Sequence, residues 1–115
     1  MTEKTLVQTT IDFNKNGKQS GYLSVPNPNN QSAWGVLKIP ITFIKNNDGP
    51  KLLLTAGVHG DEFEGPIVLS QLANELLESD LCGQVIIIPA LNTPAIEAST
   101  RLSPFDKLDM NRSFP

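Results

Sequence analysis

Cysteine, histidine, tryptophan and tyrosine each occur once in 115 residues. The lone Cys82 forbids an internal disulfide and a cysteine-rich metal site, and reads as a small buried thiol. No apolar run approaches the roughly 20 residues that a membrane-crossing helix needs. The opening MTEKTLVQTT has no basic segment leading into an apolar stretch, so no secretory signal is expected and a cytoplasmic location is the default. Basic residues are also few: nine Lys and Arg against twelve Asp and Glu, scattered along the chain. That balance argues against nucleic acid as a partner. What remains, 39% hydrophobic residues with a net charge of -3, describes an ordinary globular chain rather than a disordered one.

Residues 1–50 form one region of β-strands and turns, with short alternating patterns punctuated by Gly, Pro and Asn. A strand is expected within 5–13, followed by a turn at the Asn16-Gly17 pair and a second strand over 21–25. PNPNNQSA at 26–33 reads as a loop. Residues 34–44 carry two strand-like pieces that Pro40 separates, since a central strand would not accept proline. Trp34 is assigned to packing, and NNDGP at 46–50 is a strong break.

From residue 51 onward the pattern becomes α/β. KLLLTAGV is a nearly continuous apolar run, as expected of a strand buried on both faces. A helix follows, with Pro66 in its first turn and Leu69, Leu72, Ala73, Leu76 and Leu77 as its apolar stripe. QVIIIPAL is a second buried strand, so residues 51–90 predict a β-α-β unit with a parallel pair. A short helix over 92–99 and a polar, loop-like remainder complete the chain.

Ligands of open α/β sheets collect beyond the carboxyl ends of parallel strands. Two polar clusters lie at such ends, GVHGDEFEG at 57–65 and the stretch 92–112. His59 and Glu62, three apart, can turn an imidazole and a carboxylate to one side, a donor set suited to zinc. On that pair alone the plainer reading outweighs the metal: a hydrogen-bonded loop histidine and a glutamate favoured by the helix dipole. Asn111 and Arg112 suit capture of a substrate carboxylate, because guanidinium binds carboxylate through a planar fork. The alternative for them is a solvated loop with weak surface ion pairs. Arg101 is either a surface charge or a cation aimed at a developing oxyanion. Asp61, Glu64 and Asp106 read as solvated or capping carboxylates.

Taken in order, GVHGDEFEG, NTPA at 92–95, TRLSP at 100–104 and DMNRSFP at 109–115 resemble the succinylglutamate desuccinylase/aspartoacylase family of zinc hydrolases, relatives of zinc carboxypeptidases. Within it the likeness is strongest to the N-acetyl-diaminobutyrate deacetylases of ectoine breakdown, and it takes in GYLSVP and SAWGVLKIPI as well. The resemblance implies the fold: N-terminal antiparallel strands leading into a β-α-β unit of a zinc-carboxypeptidase-like α/β/α sandwich, with 51–115 as the first, incomplete part of the catalytic domain. It implies that His59 and Glu62 are two of three ligands to one Zn2+, and that Asp109 orients His59. It further implies that Asn111 and Arg112 hold the substrate carboxylate and that Arg101 stabilises the oxyanion.

The implied reaction is hydrolysis of the amide bond of a small N-acylated amino acid. In the family the third ligand, a histidine, and the catalytic glutamate lie downstream of position 115, so these residues alone are expected to be inactive. A metallocarboxypeptidase-like peptidase and a non-catalytic carboxylate-binding fragment are the competing readings. No membrane partner is expected, and a second copy of the chain is allowed as one because buried-type strands would need a covered edge.

Overall fold

Along residues 17–23 exposed and half-buried residues alternate, with Lys18, Ser20 and Tyr22 facing out, which is the period of a strand resting one face on a core. The computed structural model describes residues 6–26, 36–104, 107 and 109–112. The rest of the expected 26–33 loop after Pro26, Trp34 and Asp106 lie outside the described residues. The elements are β1 (Gln8–Thr9), β2 (Gly17–Pro26), β3 (Val36–Asn46), β4 (Lys51–Thr55), α1 (Glu64–Glu75), β5 (Gly83–Ile88) and α2 (Thr93–Ala98). Single 3-10 turns follow α1 at Glu78–Asp80 and close the described chain at Met110–Arg112.

The five strands form one sheet in the order β1-β2-β3-β5-β4. β1, β2 and β3 are antiparallel neighbours, β3 runs antiparallel to β5, and β4 lies parallel to β5. The expected passage from antiparallel strands into a β-α-β unit is therefore the observed fold. Alternate residues of β3 and β5 serve opposite faces. Ile41, Phe43 and Ile88 pack with Ile11 on one side, whereas Ile44, Val85 and Ile87 pack with Ala73 of α1 on the other, joined by Leu69, Leu72 and Leu76. Being covered on both faces explains why 41–44 are all buried. Among the described residues no helix is long and apolar enough to cross a membrane.

Four local expectations are corrected. β3 is one strand, with Pro40 inside it opposite Tyr22. Pairing with β5 begins only at Thr42, so at position 40 the strand has one neighbour and a missing N–H can face the open side. β4 is not buried on both faces: it is the outer strand, and Leu52 and Leu53 are 56% and 61% exposed. Leu77 leaves the apolar stripe because α1 ends at Glu75 and Leu76 is already extended, which breaks the helical rotation. Cys82 is exposed, since it sits in the turn ahead of β5 rather than in the strand. The end of α1 is also held from afar, as Lys18 Nζ donates to the carbonyls of Asn74 and Leu76, a cation where the helix dipole favours one.

Candidate active site

Because β4 and β5 are parallel and adjacent, their carboxyl ends open on one rim. The pairing runs on past the strands: Ala56 N–H donates to Ile88 O, Leu91 N–H to Ala56 O and Asn92 N–H to Gly57 O. The chain after β4 is thereby zipped to the chain after β5. Gly57 adopts φ 76°, a left-handed backbone that favours glycine, and a Cβ there would meet Ile96 Cδ1 at 2.4 Å. Gly60 is pressed still closer, since a Cβ there would stand 2.0 Å from the carbonyl oxygen of Ala95 in α2. Both glycines are demanded by close approach, and between them they seat residues 57–60 against α2.

From this seat His59 projects with its side chain only 12% exposed, while Glu62 is 60% exposed. The Glu62 amide donates to His59 O at 3.4 Å, closing the tight turn that the three-residue spacing requires. Glu62 Oε2 lies 2.6 Å from His59 Nδ1, and Asp109 Oδ1 lies 2.9 Å from His59 Nε2. The same Asp109 oxygen accepts from the Asn111 amide at 3.0 Å. An imidazole with a carboxylate on each nitrogen favours its protonated form. The Asp109 hydrogen bond is the largest influence and raises the His59 pKa; partial desolvation and the Arg101 charge oppose it, and the Glu62 bond adds to the rise. For Asp109 desolvation is the largest influence and acts upward, but the bonds from His59 and the Asn111 amide prevail and hold the carboxyl below its ordinary value.

His59, Glu62 and Asp109 thus meet directly across fifty residues of chain. Arg101 stands within electrostatic reach of both His59 and Asp109. Asn111 and Arg112 occupy the turn that follows Asp109, both exposed, with the Arg112 amide donating to Asp109 O. Asp61 and Glu64 are exposed flanks of the His59 turn.

The donor chemistry fits a zinc-type cation: a nitrogen and a carboxylate oxygen converge on a partly exposed rim, with the ring's other nitrogen fixed by a carboxylate. Among the described residues no group of three or more His, Cys, Asp or Glu could enclose a metal. One residue that the sequence reading passed over also belongs here. Asn92, 2% exposed, donates its side-chain amide to Val58 O. A buried asparagine ahead of a short helix reads from sequence as a cap, yet its side chain makes no cap bond.

Residues 48–115 match the model of the succinylglutamate desuccinylase/aspartoacylase catalytic domain. The chain is 48% identical over 109 residues to N-alpha-acetyl-L-2,4-diaminobutyric acid deacetylase of Halomonas elongata, covering 95% of this chain and 32% of that protein. Its fold superposes with a TM-score of 0.90 and 50% identity on a succinylglutamate desuccinylase/aspartoacylase from Rhodobacter sphaeroides, over 96% of this chain and 34% of the other. The product-bound ectoine utilization protein EutE (DoeB) of Ruegeria pomeroyi matches at TM-score 0.92 and 45% identity, over 99% of this chain and 35% of the other. The chain spans about a third of the length of these relatives.

Proposed function

The chain belongs to the succinylglutamate desuccinylase/aspartoacylase family, and from that premise we propose that it forms part of a zinc-dependent hydrolase that removes the acyl group from a small N-acylated amino acid of the N-acetyl-diaminobutyrate kind. The observation that carries the reading is the His59 imidazole, held between Glu62 at 2.6 Å and Asp109 at 2.9 Å on the rim of the parallel strands. The relatives named as a diaminobutyric acid deacetylase and an ectoine utilization protein support the choice of substrate.

In this reading His59 and Glu62 would hold the zinc, with Nδ1 and a carboxylate oxygen as the donors. Asp109 keeps the proton on Nε2 and so leaves the Nδ1 lone pair for the ion. Zinc, when bound, polarises the amide carbonyl and brings the pKa of water near neutrality. Arg101 carries positive charge to the side where the oxyanion grows, and the Arg112 guanidinium with the Asn111 amide grips the carboxylate of the amino acid. Such a grip on a non-reacting group aligns the scissile bond before any proton moves. The family resemblance implies that a third ligand, a histidine, and a glutamate as general base lie downstream of position 115, and His59 is the one histidine of these 115 residues. The 115 residues alone therefore bind zinc weakly and turn over no substrate.

The test is hydrolysis of N-acetyl-2,4-diaminobutyrate, compared with peptides of free C-terminus, by a chain of the relatives' length carrying these residues. Zinc-dependent release of acetate from the small substrate is expected. Preferential release of C-terminal amino acids from peptides would make the protein a carboxypeptidase instead. Turnover by the 115 residues alone would show that the ligand set is not shared in this way.

A further inference from the structure

Asn92 stands at the head of α2, four residues past the end of β5, where an asparagine ordinarily caps the helix with its side chain. Here the side chain turns away from α2, and its Nδ2 donates to Val58 O at 3.2 Å. Its own backbone N–H donates to Gly57 O at 3.0 Å. One buried residue thus holds two successive carbonyls immediately ahead of His59. The carbonyl of residue 58 and the amide nitrogen of residue 59 belong to one rigid planar peptide. Fixing the oxygen fixes the plane, and with it the axis about which His59 Cα carries its side chain. The other side of the turn is fixed by close packing, with Gly60 against Ala95 O and Thr100 O, and the Thr100 amide bonded to Ala95 O.

We propose that Asn92 is a positioning residue, whose side-chain amide, by holding the peptide plane before His59, sets the imidazole between Glu62 and Asp109. The inference rests on the reading of His59 as a metal ligand. Its side-chain bond goes to a backbone carbonyl of the loop, so Asn92 acts through that backbone. A neighbouring residue gives an internal control, since Thr93 is also buried at the start of α2 but spends its hydroxyl on Ala90 O and makes no bond to the loop.

The experiment compares Asn92→Asp, which keeps the volume and removes the donor, with Asn92→Ala and with Thr93→Val, all in a chain of the relatives' length. Zinc affinity is read by chelator competition, kcat and KM with N-acetyl-2,4-diaminobutyrate, and hydrogen exchange of residues 57–62 in the metal-free protein. Both Asn92 variants should weaken zinc by about 10-fold or more and lower kcat with KM nearly unchanged, as loss of a partner behind a metal ligand does. Exchange in 57–62 should quicken in the metal-free state while β5 is unaffected, and Thr93→Val should change none of these. A folded Asn92→Asp protein that keeps its zinc affinity and loop protection overturns the proposal. So does collapse of both Asn92 variants, which would make the residue a requirement of folding. If the unaltered protein takes no zinc, the reading of the site fails instead, and the exchange comparison still decides whether Asn92 holds the loop.

Discussion

His59 is the single histidine of the chain, so its ring reports on the site without interference. The Asp109 hydrogen bond raises its pKa above the ordinary 6.5 against partial desolvation and Arg101. In metal-free protein the ring resonance should therefore titrate above that value, and Asp109→Asn should lower the midpoint; an unchanged midpoint would disprove the pairing. The raised His59 pKa contributes stability below the unfolded value, and this is lost as pH rises through the folded one. The lowered Asp109 pKa contributes above its own unfolded value, and this is lost as pH falls through the folded one. The pair therefore supports the metal-free fold most between those limits. Arg112→Ala, by contrast, should raise KM and leave zinc content unchanged, and equal loss of zinc would show its turn to be structural. At this scale the sequence was informative where chemistry is scarce. A lone histidine three residues from a glutamate, and an aspartate fifty residues on, stand out by type. Asn92 did not, because the bond that matters reaches back thirty-four positions and leaves no local pattern.

The turn after β4 is shaped more by what is missing from its side chains than by what they contribute. At Gly60 a methyl group would have to displace backbone atoms of α2, which cannot move as a flexible side chain would. Gly60→Ala should destabilise by about 1–3 kcal/mol, the usual cost of forcing volume into a packed site. It should also loosen zinc; a thermal melt with metal analysis checks both, and an unshifted melt would mean that the seat is not rigid. Among the elements, β5 and α1 were legible because apolar runs and the Leu69, Leu72, Ala73, Leu76 spacing are local signals. Pro40 misled because proline reports a missing donor, not the number of neighbours, and β3 has only β2 beside it there. The exposure of β4 was equally illegible, since an apolar run states what a strand can bury and is silent on what covers it.

Across the whole molecule, one sheet joins the N-terminal strands to the β-α-β unit through the antiparallel β3-β5 pair, and the site lies on the rim of the parallel β4-β5 pair. The outer strand β4 presents Leu52 and Leu53, and Ile67 and Val68 of α1 are also exposed. An apolar outer strand of this kind invites pairing with another chain. The 115 residues by themselves should associate in a concentration-dependent way, and Leu53→Lys should suppress this in sedimentation; a monomer at high concentration would contradict it. Metal analysis of a purified chain of the relatives' length decides whether His59 and Glu62 hold a zinc ion. About one zinc per chain is predicted, with the metal lost from both His59→Ala and Glu62→Gln. Metal-free protein after zinc-supplemented purification, or zinc retained at full stoichiometry by either variant, would mean that His59 and Glu62 are not zinc ligands.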